Sequence, residues 1–554
     1  MGKTIIAVSG AVAAGKTSLA RQLEARYGAQ IFRTVRMLQA RAEAEGLGLL
    51  NDRKALQHYG EELDRRTAYT WVAQDLAPRV AELPDRSVIV IDAIRVRDQL
   101  TSLQRTFGRR ITHVHLTADL AHLAARYRDR GRASGLSEPA SYDLVRADPT
   151  EAAIEDLADC ADVLIDTAAN DPADVLVRCA ARVGLLPQLN RPLVDVVIGA
   201  QYGSEGKGNV CYYLAPEYDV LVRVGGANAG HQVPTDPVFT HRLLPSGTMS
   251  NEAAHLVLGP GAVLDVDVLL HEVSACHVEA DRLTIDPRAM VVEQSDKDAE
   301  ESLRAIASTR QGVGHATARR ILGRGEYPGG SVRLAGDVPE LRPFTSRPAS
   351  VVLEDAYSRG QRILLEGTQG TGLSLFHGDY PHVTSRDTTA SGCLAEAGIS
   401  PGRVRRVVLV ARTFPIRVGG TSGPMGHELT LDAVADGAGL PPEDLAQREV
   451  GSVSGTPRRI AAMGWARLRQ AAELNGATDI ALTFADYIDS ANRSARRFDQ
   501  LTSRTIGLID EVEQVTGCRV SLVSTDFAAR GLLDRRAWRG HLVEPMALDE
   551  ADGA

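Results

Sequence analysis

Residues 199–208 read Gly-Ala-Gln-Tyr-Gly-Ser-Glu-Gly-Lys-Gly, and the apolar run Val-Asp-Val-Val-Ile at 194–198 precedes them. The run predicts a buried strand that leads directly into the loop. Four glycines in ten residues allow backbone N–H groups to gather around an anion, and Lys207 adds a positive charge. A tight structural turn has a similar glycine content, so the stretches downstream must distinguish a phosphate site from a turn.

A second glycine-rich loop lies near the start of the sequence. Residues 10–17 read Gly-Ala-Val-Ala-Ala-Gly-Lys-Thr, between an apolar strand pattern at 4–9 and an amphipathic helix pattern at 18–26. The order strand, loop, helix is the context in which this motif forms a P-loop. Backbone amides and the helix N-terminus then face the β-phosphate, while the lysine bridges the outer phosphates and the threonine binds Mg²⁺. The predicted P-loop residues are Gly10, Gly15, Lys16, Thr17 and Ser18.

Two further strand patterns belong to this first part of the sequence. One ends at Asp92, where such folds place an acid that orients a metal or a substrate; the alternative is that Asp92 caps the next helix. Arg95 follows three residues later. His113 and His115 alternate on one face of the next strand pattern, which indicates packing or surface residues rather than ligands.

An arginine-rich segment at 126–132 follows these strands. It either closes over a transferred phosphoryl group or forms a solvated basic helix. The order of strands and helices resembles the nucleoside monophosphate kinases among P-loop proteins, and the runs 56–62 and 92–95 resemble the phage-type deoxynucleoside monophosphate kinases. These patterns leave the phosphate acceptor open. The candidate site arginines of this part of the chain are Arg95, Arg128 and Arg132.

Length and composition limit the class of protein. A chain of 554 residues is long for one hydrophobic core, so two or more domains are expected. Glycine and two prolines at 183–192 indicate a linker. The predicted division is a kinase-like domain at 1–187, a linker at 188–193 and a second domain at 194–554.

Charge and cysteine usage exclude several partners and compartments. The net charge is −9 without a dense run of lysine and arginine, which argues against a nucleic-acid polymer as partner. No apolar run is long enough to span a bilayer, so no membrane association is expected. The six cysteines lie far apart, which favours reduced thiols in a cytoplasmic protein over a zinc site or disulfides.

The stretches that follow the loop at 199–208 carry a family resemblance. Residues 223–231 read Arg-Val-Gly-Gly-Ala-Asn-Ala-Gly-His, and residues 244–247 read Leu-Pro-Ser-Gly. Together with the loop they resemble the adenylosuccinate synthetase family over residues 194–530. The expected fold is therefore α/β, with two P-loop-like domains that have mainly parallel sheets and flanking helices. The resemblance also implies a homodimer.

The resemblance implies a two-step formation of a C–N bond. A nucleoside triphosphate phosphorylates the 6-oxygen of a purine nucleoside monophosphate, and the amine of L-aspartate then displaces that phosphate. By resemblance His231 acts on the transferred phosphoryl group as acid and electrostatic stabiliser, and the Gly230 carbonyl binds the cofactor Mg²⁺. Gln369 bonds the 6-oxygen of the base, and Arg458 binds a carboxylate of aspartate, because a guanidinium can bind a carboxylate bidentately.

The remaining site residues are also implied by the resemblance. Arg324 would reach the 5′-phosphate in the site of a partner subunit. The residues expected to contact nucleotides are Gly203, Glu205, Gly206, Lys207, Gly208, Asn228, Ser308, Thr309, Arg324, Thr384, Asp486 and Ser524. Those expected to contact aspartate, besides Arg458, are Val453, Ser454 and Thr456.

One departure from the family concerns the chemistry directly. Ser204 stands where the family has an aspartate that takes the N1 proton of hypoxanthine and touches Mg²⁺. Loss of a general base costs roughly 10²–10⁴-fold in rate, which leaves either a dead enzyme or a changed substrate. Guanine carries a 2-amino group beside N1, where a serine leaves room and can accept a hydrogen bond. Ser204 thus resembles the viral branch of the family, which joins aspartate to dGMP on the route to diaminopurine nucleotides.

Further departures concern the sugar and the phosphoryl donor. Thr456 replaces an arginine near the ribose, which weakens the demand for a 2′-hydroxyl and suits a deoxyribose. Phe484 replaces a lysine before Asp486, and Asp526 replaces a glycine that helps to enclose guanine. ATP or dATP therefore becomes an alternative to GTP, whereas the retained Asp486 argues for GTP.

Three hypotheses follow from these patterns. The leading one is a bifunctional protein whose second domain ligates aspartate to dGMP and whose first domain phosphorylates a nucleotide. The second is an ordinary adenylosuccinate synthetase that acts on IMP with GTP. The third is a nucleotide sensor that binds without ligating; Ser204 argues for it, while the retained Lys207, His231 and Gln369 argue against it.

Overall fold

The computed structural model describes residues 2–47, 53–129, 141–147, 149–187, 189, 191–325, 332–451, 455–528 and 530–536. Backbone contacts divide the chain into two compact units, residues 1–187 (the N-terminal unit) and residues 188–554 (the C-terminal unit). Three of the predicted site residues lie outside the described residues, namely Arg132, Val453 and Ser454.

The N-terminal unit is built on a parallel sheet. Its strands are β1 (Thr4–Gly10), β2 (Gln30–Arg33), β3 (Val88–Asp92), β4 (Ile111–Thr117) and β5 (Val163–Asp166). Their order in the sheet is β2-β3-β1-β4-β5, and every neighbouring pair is parallel. The helices of the described part are α1 (Lys16–Tyr27), α2 (Thr34–Ala44), α3 (Arg53–Thr67), α4 (Trp71–Glu82), α5 (Arg97–Phe107), α6 (Leu120–Asp129), α7 (Tyr142–Arg146), α8 (Pro149–Ala152) and α9 (Pro172–Arg182).

The apolar run that becomes β1 is buried on both faces, because successive residues of a strand point to opposite sides. Ile5 and Ala7 pack in one hydrophobic cluster with α4 and α5. Ile6 and Val8 pack in another with α1 and α9. Burial on both faces explains why this strand is continuously apolar rather than alternating.

The C-terminal unit contains a larger sheet and several smaller ones. Its strands are β6 (Val194–Gly199), β7 (Val220–Arg223), β8 (His231–Val233), β9 (Phe239–His241), β10 (His255–Leu258), β11 (Val263–Leu264), β12 (Leu283–Ile285), β13 (Met290–Val291), β14 (Ile363–Glu366), β15 (Val404–Arg412), β16 (Ile416–Val418), β17 (Glu428–Leu429), β18 (Arg458–Ala461), β19 (Asp479–Thr483), β20 (Arg519–Ser524) and β21 (Leu532–Asp534). Its helices are α10 (Lys207–Leu214), α11 (Val266–Ala275), α12 (Gln294–Ala299), α13 (Val313–Leu322), α14 (Ala349–Arg359), α15 (Ala390–Ala397), α16 (Leu431–Ala438), α17 (Pro442–Arg448), α18 (Trp465–Asn475) and α19 (Ser503–Thr516).

The larger sheet has the order β12-β10-β7-β14-β6-β15-β19-β20-β21, and only the last pair is antiparallel among its described strands. The expected α/β fold with mainly parallel sheets is therefore confirmed. Because β7, β14, β6, β15 and β19 are parallel neighbours, the loops after them meet at one edge of the sheet, where such folds bind ligands. In the part of the chain that the structure describes, no helix combines the length and the apolarity needed to cross a membrane.

Candidate active site

The P-loop of the N-terminal unit connects β1 to α1. Gly10 has φ +137°, and a Cβ atom there would lie 2.2 Å from the carbonyl oxygen of Leu116, so only glycine fits. Gly15 caps α1 in the left-handed conformation, and no acidic residue occupies the first turn of that helix. The Nζ atom of Lys16 donates to the carbonyl oxygens of Gly10 and Ala11, both at 2.7 Å. The N-terminus of α1 and its lysine therefore offer positive potential to a phosphate.

The other predicted residues of the N-terminal unit are placed as follows. Asp92 ends β3 and pairs in register with Val8 of β1, so it lies beside the strand that leads into the P-loop. Arg95 forms an ion pair with the buried carboxylate of Glu151. Thr17 and Ser18 lie in the first turn of α1, where both are exposed, and Arg128 is exposed on α6.

His113 and His115 are buried, and both contact the hydroxyl of Ser9, at 2.6 and 2.8 Å. Burial, the proximity of His113 and the charge of Lys16 lower the pKa of His115 to about 4. Both imidazoles therefore belong to the packed interior beneath the P-loop, where a neutral form is favoured.

The C-terminal unit has a cavity of about 240 Å³ at the edge of its larger sheet. It is lined by loops that follow β7, β14, β6 and β15, as the strand order requires. The predicted residues that line this cavity are Gly203, Ser204, Lys207, Asn228, Gly230, His231, Ser308, Thr309, Gln369, Thr384 and Arg458.

A buried carboxylate stabilises the glycine-rich loop from within. Glu205 is 0 % exposed, and its Oε1 atom accepts hydrogen bonds from the backbone N–H groups of Gln201 at 3.0 Å and Gly203 at 2.9 Å. Its Oε2 atom pairs with Nζ of Lys207 at 2.5 Å. Glu205 therefore shapes the loop and positions the lysine rather than facing the cavity. Gly206 caps α10 with φ +87°, and Gly208 lies within that helix.

A buried histidine–carboxylate pair lies on another side of the cavity. Nδ1 of His231 donates to Oε1 of Glu366, which also accepts from the hydroxyl of Ser246 at 2.5 Å. Arg223 lies 3.5 Å from the same carboxylate. Burial and the charge of Arg223 lower the pKa of His231 to about 4. Burial acts to raise the pKa of Glu366, but Arg223 and the hydrogen bond from His231 outweigh it and hold that pKa at about 2.

Three non-glycine residues adopt left-handed backbone conformations in loops that follow strands of the larger sheet. The φ angles are +55° at Ser204 after β6, +59° at Gln369 after β14 and +60° at Phe484 after β19. A left-handed conformation costs free energy in any residue other than glycine, and residues strained in this way cluster at functional sites. Here they follow three parallel strands of one sheet.

Arg458 lines the cavity as part of a buried charge cluster. Its Nη1 atom lies 3.3 Å from Oε2 of Glu449, and Glu449 also pairs with the fully buried Arg412. Burial lowers the pKa of Arg458 from its ordinary value. Arg412 stacks on the ring of Phe484 at 3.7 Å, and it donates to the carbonyl oxygen of Ser204 at 3.4 Å.

Several predicted residues do not line the cavity. Asp486 is buried and lies 3.3 Å from Arg448 and 3.2 Å from Arg493, while Ser524 donates to the carbonyl oxygen of Asp526 at 3.1 Å. Burial raises the pKa of Asp486. The other predicted residues outside the cavity lining are Glu205, Gly206, Gly208, Arg324 and Thr456.

Sequence reasoning assigned no role to Arg223, Glu366, Arg412, Glu449 or Arg386. Arg223, Glu366 and Arg412 share one signal. Each is a charged residue that ends a strand (β7, β14 and β15, respectively), directly after apolar residues of that strand. Such a residue is expected at the ligand-binding edge of a parallel sheet. Glu449 and Arg386 carry no comparable signal.

Comparison with known proteins identifies the class of enzyme that contains this cavity. A family model of adenylosuccinate synthetase matches residues 196–326 and 338–493. The chain therefore belongs to the adenylosuccinate synthetase family, whose members are ligases of purine biosynthesis. The adenylosuccinate synthetase of Pyrococcus sp. (strain ST700) is 36% identical over 353 residues, covering 62% of this chain and 98% of the relative. That of Methanocaldococcus jannaschii is 35% identical over 352 residues, covering 62% and 96%.

Two solved structures share the fold of the C-terminal unit. Fully ligated adenylosuccinate synthetase from Plasmodium falciparum aligns with a TM-score of 0.52 and 19% identity, covering 62% of this chain and 100% of that one. The cyanophage S-2L succinoaminodeoxyadenylate synthetase, bound to dGMP and to dATP as an energy donor, aligns with a TM-score of 0.52 and 28% identity. That alignment covers 62% of this chain and 96% of the cyanophage enzyme.

Proposed function

We propose that the C-terminal unit joins L-aspartate to the 6-position of dGMP, which gives 2-amino-2′-deoxyadenylosuccinate. The observation that carries this choice is the serine at position 204, which lines the cavity where the family resemblance places a carboxylate. A hydroxyl is smaller than a carboxylate, carries no charge at neutral pH and can accept a hydrogen bond from the 2-amino group of guanine.

The described lining of the cavity supports this choice, because it offers no obvious substitute for the missing carboxylate. Among the described residues that line the cavity, Glu300 is the only acidic one. Its oxygens already accept hydrogen bonds from the backbone N–H groups of Gly312 at 2.8 Å, Gly314 at 2.7 Å and His315 at 3.2 Å. Glu300 thus caps the N-terminus of α13, which supports the proposal that it does not accept the N1 proton of a base. The cyanophage enzyme bound to dGMP supports the same choice of nucleotide.

The residues of the cavity have distinct roles in this proposal. Lys207 and the N-terminus of α10 bind the phosphates of the donor. His231 is held in one orientation by Glu366, so its Nε2 atom is left to interact with the phosphoryl group that moves to the 6-oxygen. Gln369 donates to that 6-oxygen. Arg458 binds a carboxylate of the substrate aspartate, and the amine of that aspartate displaces the phosphate.

The oxygen donors at the cavity fit Mg²⁺ bound together with nucleotide. The ion keeps several water and phosphate ligands, so one or two protein oxygens suffice. The Ser204 hydroxyl and the Gly230 carbonyl belong to residues that line the cavity. Within the described ranges, no cluster of three or more His, Cys, Asp or Glu side chains could hold a metal by itself. When bound, the ion neutralises charge on the phosphates.

We propose ATP or dATP as the phosphoryl donor, with GTP as the alternative. Asp486 already has two guanidinium partners, Arg448 and Arg493, so it has less capacity to accept the two N–H groups of guanine. At position 484 a phenyl ring offers no hydrogen bond to the 6-oxygen of guanine. The dATP bound to the cyanophage enzyme as its energy donor is consistent with an adenine donor here.

One experiment tests the substrate and the donor together. The purified full chain is incubated with dGMP or IMP, L-aspartate, Mg²⁺ and one of ATP, dATP or GTP, and the product mass is measured. We expect a product with the mass of dGMP plus aspartate minus water. A product from IMP and none from dGMP would show an ordinary adenylosuccinate synthetase. Tight binding of nucleotides without release of phosphate from the triphosphate donor, with either dGMP or IMP present, would show a sensor.

We propose that the N-terminal unit is a P-loop kinase that phosphorylates a nucleotide. The support is the loop between β1 and α1, with Lys16 above it and Asp92 on the neighbouring strand. Incubation with ATP, Mg²⁺ and a panel of nucleoside and deoxynucleoside monophosphates, followed by chromatography, should reveal a diphosphate product. Hydrolysis of ATP without any diphosphate product would contradict a nucleotide acceptor.

We also propose that the chain forms a homodimer. Arg324 is exposed and outside the cavity, and its Nε atom donates to the nearby carbonyl oxygen of Ile321 at 2.9 Å. An exposed arginine at this position can serve the site of a second subunit. Light scattering should give twice the mass of one chain, and the mass of a single chain would contradict the proposal.

A further inference from the structure

The side-chain amide of Gln369 has hydrogen-bond donors on one side and a hydrogen-bond acceptor on the other. On one side, its Oε1 atom accepts a hydrogen bond from the Thr368 hydroxyl at 2.8 Å and lies 3.4 Å from Nη1 of Arg386. On the other side, its Nε2 atom donates to Oδ1 of Asn228 at 3.2 Å. A guanidinium has only donors, so the amide atom that faces Arg386 must be the oxygen.

The direction of the Thr368 hydroxyl follows from the same arginine. Nη1 of Arg386 donates to Oγ1 of Thr368 at 2.9 Å. A hydroxyl has a single proton, so Thr368 accepts from Arg386 and gives its own proton to Gln369. Thr368 is 1 % exposed, so its hydroxyl is shielded from water. The order of donation is therefore Arg386 to Thr368 to Gln369.

Arg386 is itself held in place by a nearly buried ion pair. It is 8 % exposed, and its Nε atom donates to Oε1 of Glu396 at 2.6 Å. The other oxygen of Glu396 accepts from the backbone N–H of Gly225 at 3.1 Å. Gly225 lies in the loop after β7 that also carries Asn228. The ion pair thus connects the two loops that contact the Gln369 amide from either side.

We propose that Arg386, acting through Thr368, is a positioning residue that keeps an N–H of Gln369 directed at the 6-oxygen of the purine. The inference rests on the proposed role of Gln369. One of the two amide hydrogens is bound by Asn228, and the described residues provide no acceptor for the other, although Gln369 lines the cavity. A flipped amide would instead face the 6-oxygen with its own oxygen and Arg386 with its NH₂ group, two repulsive contacts.

The consequence concerns the rate more than the affinity. Because Glu300 is the only carboxylate in the described lining and is already hydrogen-bonded, the N1 proton of the base passes to water. Negative charge then develops on the 6-oxygen, so a donor directed at it stabilises a reacting state rather than the resting nucleotide. Both dGMP and IMP have this oxygen. The inference therefore applies to whichever of the two nucleotides the protein ligates, and the test uses that nucleotide.

The decisive variants are Thr368→Val and Thr368→Ser. Valine has the size of threonine without its hydroxyl, whereas serine retains the hydroxyl. We expect T368V to lower kcat for ligation about 10-fold or more, with KM for the nucleotide changed less than about threefold. T368S should retain kcat within about threefold of the unaltered protein. Thermal unfolding of both variants shows whether the fold is intact. Arg386 itself is not replaced, because its removal would break a buried ion pair and destabilise the fold.

A double-mutant cycle separates positioning from a merely structural role. In the Gln369→Ala background, T368V should cause no additional loss of kcat, because the amide that it orients is gone. Equal kcat for T368V and T368S, or additive losses in the double variant, would overturn the positioning role while Gln369→Ala remains impaired. Full activity of Gln369→Ala would instead refute the proposed role of Gln369 itself.

Discussion

The imidazole of His231 donates its Nδ1 hydrogen to the carboxylate of Glu366, although 135 residues separate them in sequence. The backbone N–H of Ser246 donates to the other carboxylate oxygen at 2.7 Å. Because Glu366 occupies Nδ1, Nε2 is the nitrogen left for a phosphoryl group, and it can donate a hydrogen bond to a phosphoryl oxygen when the ring is protonated. The carboxylate thus selects both the tautomer and the orientation of the histidine.

Replacement of Glu366 by glutamine tests this pair. An amide is neutral and can offer its NH₂ group to Nδ1, so the tautomer is no longer determined and a developing imidazolium is no longer stabilised. We expect kcat for ligation to fall roughly 10- to 100-fold in E366Q. The matched control is Glu252→Gln, at an exposed position, which should leave kcat unchanged. If both variants retain the kcat of the unaltered protein, Glu366 does not orient His231.

Replacement of Ser204 by aspartate should change the preferred nucleotide. The carboxylate can accept the N1 proton of hypoxanthine, and it crowds the 2-amino group of guanine. We expect kcat/KM for IMP relative to dGMP to rise at least about 10-fold in S204D, which is modest beside the full effect of a general base. Ser204→Ala is the control, because it removes the hydroxyl without adding charge and should not favour IMP. An unchanged ratio in S204D would contradict the proposed basis of selectivity.

Replacement of Lys16 by alanine should separate the two proposed activities. The variant removes the cation above the P-loop and should lower phosphoryl transfer by the N-terminal unit about 10²-fold or more. Ligation depends on Lys207 in a different unit and should stay within about twofold. Lys3→Ala is the matched control, since Nζ of Lys3 donates to the carbonyl oxygen of Ala81 at 2.9 Å, away from the P-loop. Loss of both activities in K16A would show that they are coupled.

The buried contacts among His113, His115 and Ser9 should make the stability of the N-terminal unit depend on pH. The pKa of His115 is about 4 in the folded chain and about 6.5 in an unfolded one. Below pH 6.5 the unfolded state binds more protons, so stability falls as the pH decreases from 6.5 to 4. The loss is on the order of 3 kcal/mol.

Urea unfolding of the full chain at several pH values measures this dependence. In His115→Gln, the free energy of unfolding for the transition that involves the N-terminal unit should depend less steeply on pH between pH 4 and 6.5. The exposed His122, whose Nδ1 atom lies 2.7 Å from Asp119, supplies the control His122→Gln, which should keep the slope. An identical slope in both variants and in the unaltered chain would show that His115 is not the titrating group.

Local patterns explain which parts of the fold could be predicted from sequence. The strand, loop and helix around Lys16 depend on contacts within a few residues, such as those between its ammonium and the carbonyls of Gly10 and Ala11. The apolar runs predicted as strands match β1 and β6, because strands buried on both faces are apolar throughout. The glycine-rich loops at the ends of these strands were therefore predictable together with the α/β fold.

The long-range partners could not be predicted in the same way. His231 meets Glu366 because β14 lies between β7 and β6 in the sheet, although it follows both in sequence. Arg412 stacks on Phe484 because the ends of β15 and β19 are neighbours. Strand order is a property of tertiary packing, so the amino-acid pattern of any single segment contains no record of these pairs.

The left-handed backbone at position 204 bears on how substrate choice can change over evolutionary time. Aspartate adopts this conformation more readily than serine does, so the loop can accept either residue without being rebuilt. On the proposed role of Ser204, a single codon exchange, or a short series of them, would move a lineage between purine substrates while every strand of the sheet stays as it is.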